Sequence, residues 1–461
     1  MKSGFRYKAL GSALCFFSFA LQAENPCVQT CYTTDPAPMV HDGRLYVYTG
    51  HDENNADFFW MQEWRIYSTD DMVNWTDHGS PLAIEDFSWG DDRAWAPQCV
   101  ERNGKFYFYV PLHSKLTGAM AIGVAVGDSP TGPFKDALGK PLADGSWDYI
   151  DPTAFVDDDG QAYLFWGNPE IYYVKLNEDM ISFDGEIQKI EQTPEGFGEP
   201  AFSLVEKDKK YHGTYTEGPW FYKRNGKYYL LYAAGGIPER ISYSVSDNPT
   251  GPWKFMGDIM PLTDTGSFTN HCGVADYNGQ SYFFYHTGNL PGGGGFARSF
   301  CVEPFEYNAD GSFPTILPTA EGAKAIKTFD PYKKTEAETM AWSRGVTTEP
   351  NSKTGVYVSD IHNGDFIKVA NVDFGAEGPS QFSATVASAL RGGQIELRLD
   401  AEDGPVMASV DVPGTGGWEN WETLVTDVEP NSATGVHDLY FVFTGRKGPK
   451  LFNFDNWTFT K

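Results

Sequence analysis

The chain has 461 residues, enough for two or three domains, and its 62 acidic residues against 35 basic ones give a formal net charge of −27. This acidic balance argues against a nucleic acid and against an anionic membrane surface as partners. Hydrophobic residues make up 41% of the chain and aromatic residues 15%, which excludes a disordered protein and a coiled coil. We therefore expect folded domains with sizeable cores, and the 49 glycines and 29 prolines predict many turns between short elements.

Residues 1–23 have the pattern of a secretory signal peptide. Three basic residues precede an apolar run over residues 9–21, and Ala23 offers a small residue for cleavage. The run is too short to span a bilayer, and a buried N-terminal helix is the alternative. We expect a secreted or periplasmic protein that is a monomer and has no membrane partner.

Five cysteines follow the predicted signal peptide: Cys27, Cys31, Cys99, Cys272 and Cys301. Because their number is odd, at most two disulfides form and one thiol stays free. Their spacing matches no zinc pattern. A Cys27–Cys31 bridge is one option, but the sequence does not fix the pairing.

One sequence pattern occurs five times along the chain: a polar residue and a glycine, followed by an aromatic-rich run that suits a strand. The glycines of the five copies are Gly43, Gly104, Gly160, Gly226 and Gly279. Asn-Gly and Asp-Gly pairs favour type I′ turns, which join the two strands of a tight hairpin. Each interval also holds a second turn unit, so each copy predicts four strands.

Five units of four antiparallel strands predict an all-β fold, a five-bladed β-propeller over residues 24–317. The alternative is a β-sandwich in which the similarity between the copies is fortuitous. Residues 318–333 form the predicted linker. Strand patterns return over residues 334–461 and predict a second domain, a β-sandwich of jelly-roll-like form.

Acidic residues stand at matching positions just before three of the repeat turns. Asp35, Asp151 and Glu217 each lie a similar distance upstream of the glycine of their copy and close to a proline. In a propeller the first strand of each blade lines the central axis, so equivalent positions from separate blades converge on one axial pocket. A lone Asp-Pro is usually a turn, but turns alone do not require acids at three matched positions.

Three acids brought together suit the hydrolysis of a glycosidic bond. Like charges raise at least one pKa, which is what a general acid needs at neutral pH. One carboxyl group acting as acid and a second acting as base are the minimum for the reaction, at a separation of roughly 6.5–9.5 Å in inverting enzymes and about 5–5.5 Å in retaining ones. Trp95, next to a pocket position, is the candidate to stack on a sugar ring, with core packing as the alternative.

Several stretches of the chain together resemble glycoside hydrolase family 43. Three of them are Thr34-Asp35-Pro36, Ile150-Asp151-Pro152-Thr153 and Thr216-Glu217-Gly218-Pro219, and the others cover residues 232–239, 267–271 and 291–299. The similarity is to the branch that holds arabinoxylan arabinofuranohydrolases and related β-xylosidases. It extends over about residues 30–317.

The resemblance implies an inverting hydrolase. Through their match to the family's motifs, Asp35 is expected to be the general base, Glu217 the general acid, and Asp151 the residue that tunes the pKa of Glu217 and orients it. Asn270 and Arg298 match positions that contact the sugar.

Two histidines, His271 and His286, lie close to these motifs in the sequence. One of them is a candidate to face a second ion or a water cluster near the propeller axis, and an ordinary buried histidine is the alternative for either. No cofactor is expected to be needed for the chemistry.

Motifs at both ends of the second domain resemble carbohydrate-binding module family 6. They are Glu336-Ala337-Glu338 and Asn453-Phe454-Asp455-Asn456-Trp457. In that family paired early glutamates and a late aspartate hold a structural Ca²⁺, so the resemblance implies Glu336, Glu338 and Asp455 as ligands, and hard oxygen ligands fit this ion. A solvated acidic edge is the alternative. Whether this domain binds sugar is left open.

These features predict a glycosidase that removes α-L-arabinofuranosyl side groups, terminal β-xylosyl units, or both from arabinoxylan, xylan or their oligosaccharides. A non-catalytic carbohydrate-binding propeller, an extracellular scaffold, and a hydrolase of the same fold acting on arabinan or another polysaccharide are the alternatives. The choice between arabinofuranosides and xylosides is left open. We expect the loops over residues 51–60 and 291–295 to shape the pocket rim and to decide it.

Overall fold

The structure is a computed structural model that describes residues 25–200 and 213–461. The predicted signal peptide lies outside the described residues. Five antiparallel sheets come first along the chain and two further sheets follow, which confirms the predicted all-β fold with a five-bladed propeller and a β-sandwich. Within the described ranges, no helix combines the length and the apolar character that crossing a membrane requires.

Blades 1 and 2 are extended by short edge strands. Blade 1 contains β1 (Tyr32–His41), β2 (Arg44–Asp52), β3 (Glu63–Thr69), β4 (Trp75–Asp77) and β5 (Leu82–Ala83). A 3₁₀ helix, Ile84–Asp86, leads to blade 2, which contains β6 (Gly90–Asp92), β7 (Gln98–Arg102), β8 (Lys105–Ser114), β9 (Ala119–Gly127), β10 (Lys135–Asp136) and β11 (Ala143–Asp144).

Blades 3 and 4 each have the predicted four strands. Blade 3 contains β12 (Thr153–Val156), β13 (Ala162–Trp166), β14 (Ile171–Leu176) and β15 (Phe183–Ile190). The short helix α1 (Pro194–Phe197) precedes blade 4, which contains β16 (Tyr215–Arg224), β17 (Lys227–Ala234), β18 (Arg240–Ser246) and β19 (Lys254–Met260). Blade 5 contains β20 (Gly273–Tyr277), β21 (Gln280–Thr287) and β22 (Ser299–Phe305).

Blade 5 has three strands in the described part of the chain, where the repeat predicts four. The N-terminal segment lies along its outer strand instead. The Cys27 backbone N–H donates to the Phe300 carbonyl at 2.9 Å, and the Val302 N–H donates to Asn25 Oδ1 at 2.9 Å. The segment around Asn25 and Cys27 therefore covers the last blade and closes the ring.

The repeat turns have the predicted geometry in four copies and not in the third. In the first, Asp42 and Gly43 have φ of 47° and 74°, as a type I′ turn requires, and the copies at Gly104, Gly226 and Gly279 match it. In the third, Val156 pairs with Ala162 across a five-residue loop, and Gly160 supplies the positive φ. The type I′ prediction is wrong for this copy because a longer loop needs only one left-handed residue.

Large side chains fill the spaces between neighbouring blades. The rings of Tyr48 in blade 1 and Phe108 in blade 2 lie 5.1 Å apart, and those of Phe165 in blade 3 and Phe221 in blade 4 stack at 4.3 Å. Aromatic residues are large enough to bridge two sheets, and burying one contributes about 1.5–3 kcal/mol. This packing fixes the blades around a common axis.

The second domain consists of two packed sheets. Its strands are β23 (Thr335–Glu336), β24 (Thr339–Met340), β25 (Trp342–Arg344), β26 (Thr347–Asn351), β27 (Gly355–Ser359), β28 (Phe366–Asp373), β29 (Gln381–Ala387), β30 (Gly393–Leu399), β31 (Val406–Val412), β32 (Glu422–Asp427), β33 (Val436–Thr444) and β34 (Asn453–Thr460). One sheet has the order β26-β27-β34-β29-β32 and the other β25-β28-β33-β30-β31. Phe382, Phe441 and Trp457 fill the space between them.

The two domains are joined by a backbone ladder and by buried hydrogen bonds. Strand β24 of the sandwich pairs with β4 of blade 1. The Asn74 side chain accepts a hydrogen bond from the Ala370 N–H at 2.8 Å and donates to the Ala370 carbonyl at 3.0 Å. The predicted linker, residues 318–333, also bonds to both domains, through Thr319 to Glu303 and through Phe329 to Asn371.

The structure also bears on the cysteines. The thiols of Cys31, Cys99, Cys272 and Cys301 are free. The sulfur of Cys31 lies 3.2 Å from the Tyr67 hydroxyl. The Cys27–Cys31 bridge that the sequence offers is therefore not formed.

Candidate active site

The three predicted acids lie at a repeated irregularity at the inner edge of their blades. Asp35 and Asp151 have φ of 53° and 58°, each directly before a proline. In blade 4 the residue with this conformation before the proline is Gly218, with φ of 60°, and Glu217 precedes it. Residues other than glycine rarely adopt a positive φ, and the backbone strain that results is typical of functional positions. The bulges in β1 and β16 redirect Asp35 and Glu217 away from the regular alternation of the strand.

Asp35, Asp151 and Glu217 line one cavity of about 190 Å³. Trp95 and Arg298, two of the residues predicted to contact the sugar, line the same cavity. The structure thus brings together acids and sugar-contact candidates from separate blades.

His271 stands between the three acids. Its Nδ1 lies 3.5 Å from Asp35 Oδ1, and its Nε2 lies 3.3 Å from Glu217 Oε1 and 3.9 Å from Asp151 Oδ2. Burial lowers the pKa of His271, but the three carboxyl groups outweigh it and raise the pKa to about 10. The imidazole is therefore charged at neutral pH and neutralises part of the negative charge of the pocket.

Asp35 is held ionised by a neighbouring cation. Burial raises its pKa, but the Arg298 guanidinium and the His271 imidazolium outweigh burial and hold the pKa of Asp35 below its usual range. Arg298 Nη1 lies 3.3 Å from Asp35 Oδ1, and Asp52 fixes the guanidinium through Nε at 2.8 Å and Nη2 at 2.9 Å. A carboxylate that stays ionised is suited to accept a proton from water.

Asp151 and Glu217 form the opposite end of the site. Burial and then the nearby charges of Glu217 and Asp35 raise the pKa of Asp151, against the lowering effect of His271. The Gly218 N–H donates to Asp151 Oδ2 at 3.0 Å, and the Asn168 amide donates to Glu217 Oε2. The raised pKa favours a proton on Asp151, next to Glu217.

His286 is buried behind Asp35 and is not positioned for an ion. Its Nδ1 accepts a hydrogen bond from the Asp35 N–H at 3.4 Å, and its Nε2 lies 2.9 Å from the Thr269 carbonyl. Both ring nitrogens are thus in use. Asp151, Glu217 and His271 have ligand atoms within 4.8 Å of one another, as a cation site requires. The second ion near the propeller axis stays a prediction, and His271 is the histidine of the two whose ring faces the cavity.

Asn270, a predicted sugar contact, is not among the described residues that line the cavity. Its amide nitrogen lies 3.4 Å from Met260 Sδ, and its backbone N–H donates to Glu239 Oε2 at 2.8 Å. Successive residues of an extended chain face opposite sides. It is therefore His271, the next residue, that reaches the pocket.

Aromatic residues from loops form the rim. Of the two loops expected to shape it, residues 51–60 contribute Phe58 and Phe59 to the cavity wall. Phe296, next to the other loop, packs against Phe59 with ring centroids 4.8 Å apart. The Trp95 indole donates to the Phe59 carbonyl at 2.9 Å, which ties the rim to blade 2.

Comparison with known proteins identifies the family. The model of glycosyl hydrolases family 43 matches residues 23–313, more than half of the chain. The chain belongs to glycosyl hydrolases family 43. The model of carbohydrate binding module family 6 matches residues 336–461, so both sequence resemblances are confirmed, and with them the prediction that the protein is a glycosidase.

Several named relatives cover most of this family 43 chain. An arabinoxylan arabinofuranohydrolase of Paenibacillus polymyxa is 35% identical over 95% of this chain and 74% of its own length. Xylosidase/arabinosidase 43A of Humicola insolens is 32% identical over 64% of this chain and 99% of its own. The crystal structure of a family 43 arabinoxylan arabinofuranohydrolase from Bacillus subtilis in complex with cellotetraose has a TM-score of 0.80 at 33% identity, and covers 95% of this chain and 98% of that one.

Gly218 gives a direct test of the site's geometry. A Cβ at this position would lie 3.0 Å from the His271 ring, and its φ of 60° disfavours any side chain. We expect Gly218→Ala to lower kcat about 100-fold, since a displacement of about 1 Å in a catalytic group costs this much. The control is Gly226→Ala in the hairpin turn of the same blade, where φ is also positive and nothing lies within 4 Å. Similar kcat values for the two variants would contradict the role of His271.

Proposed function

We propose that this protein is an inverting glycosidase that releases α-L-arabinofuranosyl side groups from arabinoxylan and also accepts terminal β-xylosyl units. One observation carries the proposal: a single cavity is lined at one end by Asp35, whose carboxylate lies 3.3 Å from the Arg298 guanidinium, and at the other by Asp151 and Glu217, whose carboxyl groups lie close together. That polarity is what single-step displacement by water at a glycosidic carbon needs.

In the proposed mechanism, Asp35 removes a proton from the attacking water while Glu217 protonates the leaving oxygen. Asp151 shares the proton with Glu217 and orients it through the Gly218 N–H. The His271 ring lies between Asp35 and Glu217, with one nitrogen toward each. With this ring between them, the two carboxyl groups are expected to be further apart than the roughly 5–5.5 Å of a retaining pair, as an inverting mechanism requires.

The size of the cavity supports removal of one sugar at a time. Its volume of about 190 Å³ is below the roughly 300–1,000 Å³ of sites for drug-sized ligands, which favours a single sugar ring over an oligosaccharide. The relatives are named as an arabinoxylan arabinofuranohydrolase and as a xylosidase/arabinosidase. These names support a pentose as the sugar that the cavity holds. A terminal or side-chain sugar fits this shape better than an internal unit of a polymer.

The test is product analysis with purified protein on arabinoxylan, linear xylan and arabinan, followed by proton NMR from the first minutes. We expect arabinose from arabinoxylan, first as the β-anomer because the configuration inverts. A first product with retained configuration would overturn the mechanism. Release from arabinan but not from arabinoxylan would overturn the substrate.

We also propose that Glu336, Glu338 and Asp455 hold a structural Ca²⁺ in the second domain. Each has one buried carboxylate oxygen without a hydrogen-bond partner, which suits a hard cation. The Ala337 N–H donates to the Asp455 carbonyl at 2.8 Å, so the two ends of the domain meet at these residues. Burial, together with Glu336, Asp77 and Asp455, raises the pKa of Glu338, a cost that a bound cation would remove.

Removing the metal is expected to destabilise the protein. At a free Ca²⁺ concentration of 100 times Kd, binding contributes about 2.7 kcal/mol, or about 10 °C in the melting temperature of a domain this size. Differential scanning calorimetry with EDTA and with excess Ca²⁺ measures the shift. Glu338→Gln should abolish most of it, and Glu377→Gln, an exposed acid of the same domain, should preserve it. Equal melting temperatures in EDTA and Ca²⁺ would contradict the site.

Secretion and a monomeric state remain predictions from the sequence. The signal-like residues 1–23 support export, and cell fractionation after expression in a bacterial host checks it.

A further inference from the structure

Trp147 is a half-exposed aromatic residue at the mouth of the catalytic cavity. Its side chain is 50% exposed, yet it lines the same cavity as the three acids. It lies on the loop between β11 and β12, just before Asp151 in the chain. Phe58 and Phe59, which also line the cavity, are less exposed. Trp147 therefore offers the largest open aromatic face at the border between the cavity and the solvent.

Two neighbouring side chains, Trp95 and Arg93, hold the Trp147 indole in place. Its ring lies edge-on against Trp95, with centroids 5.3 Å apart and planes at 78°. The Arg93 guanidinium lies 5.7 Å from the Trp147 ring and 5.9 Å from the Trp95 ring. A cation placed over an indole in this way contributes about 0.5–1 kcal/mol at an exposed site.

The loop that carries Trp147 is anchored as well. The neighbouring Asp148 accepts a hydrogen bond from the Tyr172 hydroxyl of β14 at 2.6 Å and a second one from Ser146. Tyr149 packs against Tyr172 and Trp166 with ring centroids 5.3 and 5.5 Å apart. An exposed side chain on an anchored loop loses little freedom when a ligand binds, which favours affinity.

The volume of the cavity indicates what covers this face. A cavity that takes one sugar leaves the rest of a polymeric substrate outside. The part outside begins at the glycosidic oxygen, which Glu217 protonates and which belongs to the leaving group. The Trp147 indole borders the cavity, and a flat apolar ring suits the C–H face of a pyranose. A methyl leaving group has no ring to cover this face, whereas the xylose of the main chain does.

We propose that Trp147 is a binding platform for the main-chain xylose next to the scissile bond, and that it makes the enzyme prefer polymer over small glycosides. The inference rests on the proposed function, because it takes xylan as the leaving group. It assigns Trp147 to binding and leaves proton transfer to Asp35 and Glu217.

The experiment compares kcat/KM on arabinoxylan with kcat/KM on methyl α-L-arabinofuranoside for the wild type, Trp147→Ala and Trp147→Phe. We expect the ratio of polymer to methyl glycoside activity to fall about 10- to 100-fold in Trp147→Ala, mostly through KM, as the loss of one buried aromatic contact predicts. Trp147→Phe should recover most of the ratio. Leu116→Ala, which removes an exposed apolar side chain of blade 2 that does not line the cavity, should leave the ratio unchanged.

Three outcomes would overturn the proposal, and they are distinguishable. An equal loss on both substrates would show that Trp147 acts on the pocket and not on the leaving group. An unchanged ratio in Trp147→Ala would show that the main chain does not lie on the indole. A wild type that cleaves methyl α-L-arabinofuranoside but releases nothing from arabinoxylan would contradict the proposed function itself, and this inference with it.

Discussion

Replacing Glu217 by glutamine is expected to lower kcat on arabinoxylan by about 100- to 10,000-fold, the usual contribution of a general acid. Glutamine keeps the size of the side chain: its oxygen can accept from His271, and its NH2 group can donate to Asn168 once the Asn168 amide turns its oxygen toward it. The pocket should therefore keep its shape, but the amide is not acidic enough to protonate the leaving oxygen. A sugar alkoxide is a poor leaving group, and without protonation its departure limits the rate.

The loss should depend on the leaving group, which separates an acid from a merely structural residue. A nitrophenolate leaves without a proton, so Glu217→Gln should retain far more activity on a nitrophenyl glycoside than on arabinoxylan. Steady-state kinetics on a series of aryl glycosides with different leaving-group pKa values measures this dependence. Glu178→Gln, an exposed acid in blade 3, is the matched control and should resemble the wild type. An equal loss across the whole series would contradict the acid assignment.

The charges of the site explain how one pocket can hold an acid and a base at the same pH. Arg298 lies on the Asp35 side and is fixed there by Asp52. His271 lies near all three acids, whereas Arg298 Nη1 lies 3.3 Å from Asp35 Oδ1. This asymmetry favours the ionised form of Asp35, while burial and the charges of Glu217 and Asp35 favour the protonated form of Asp151.

The architecture and the acids could be predicted because both repeat along the chain. The glycine of each hairpin marks the same place in each blade, and counting back from it locates Asp35, Asp151 and Glu217. A propeller then converts equal positions in the sequence into neighbours in space. The N-terminal segment of blade 5 was not predictable in this way, since Asn25 and Cys27 carry no copy of the repeat.

His271 shows what such counting can find and what it misses. It occupies the position in blade 5 that Asp35 occupies in blade 1, so the repeat itself was a signal for it. Its charge, however, arises from three carboxyl groups that meet only in the fold. Asn270 was placed at the sugar by its motif, yet its side chain faces Met260. Two successive residues of an extended chain face opposite sides, so a difference of one residue decides which side chain reaches the sugar.

Only part of the rim could be predicted: the loop over residues 51–60 was expected to shape it and contributes Phe58 and Phe59, but nothing in the sequence pointed to the Trp147 loop, because these loops lie outside the repeat. Phe58 and Trp147 come from connections of different length in different blades, and neither has a counterpart at a fixed spacing. Asn168, which donates to Glu217, likewise follows a strand without any motif that identifies it. Repeats determine where the blades and the acids lie, whereas specificity is determined by insertions that each blade carries alone.

Asp35→Asn is expected to lower kcat by about 100- to 10,000-fold on arabinoxylan and on activated aryl glycosides alike, because both reactions need an activated water. Asparagine tolerates the positive φ at this position, so the backbone should remain in place. Arg298 keeps its bonds to Asp52, so no buried cation is left without a partner.

The matched control is Asp42→Asn in the exposed turn of the same hairpin, where asparagine also suits a positive φ and activity should be unchanged. Kinetics on both substrate types, with circular dichroism to check the fold, measures the effect. If Asp35→Asn lost activity on arabinoxylan but kept it on nitrophenyl glycosides, Asp35 would be acting on the leaving group, and the roles of base and acid would have to be exchanged.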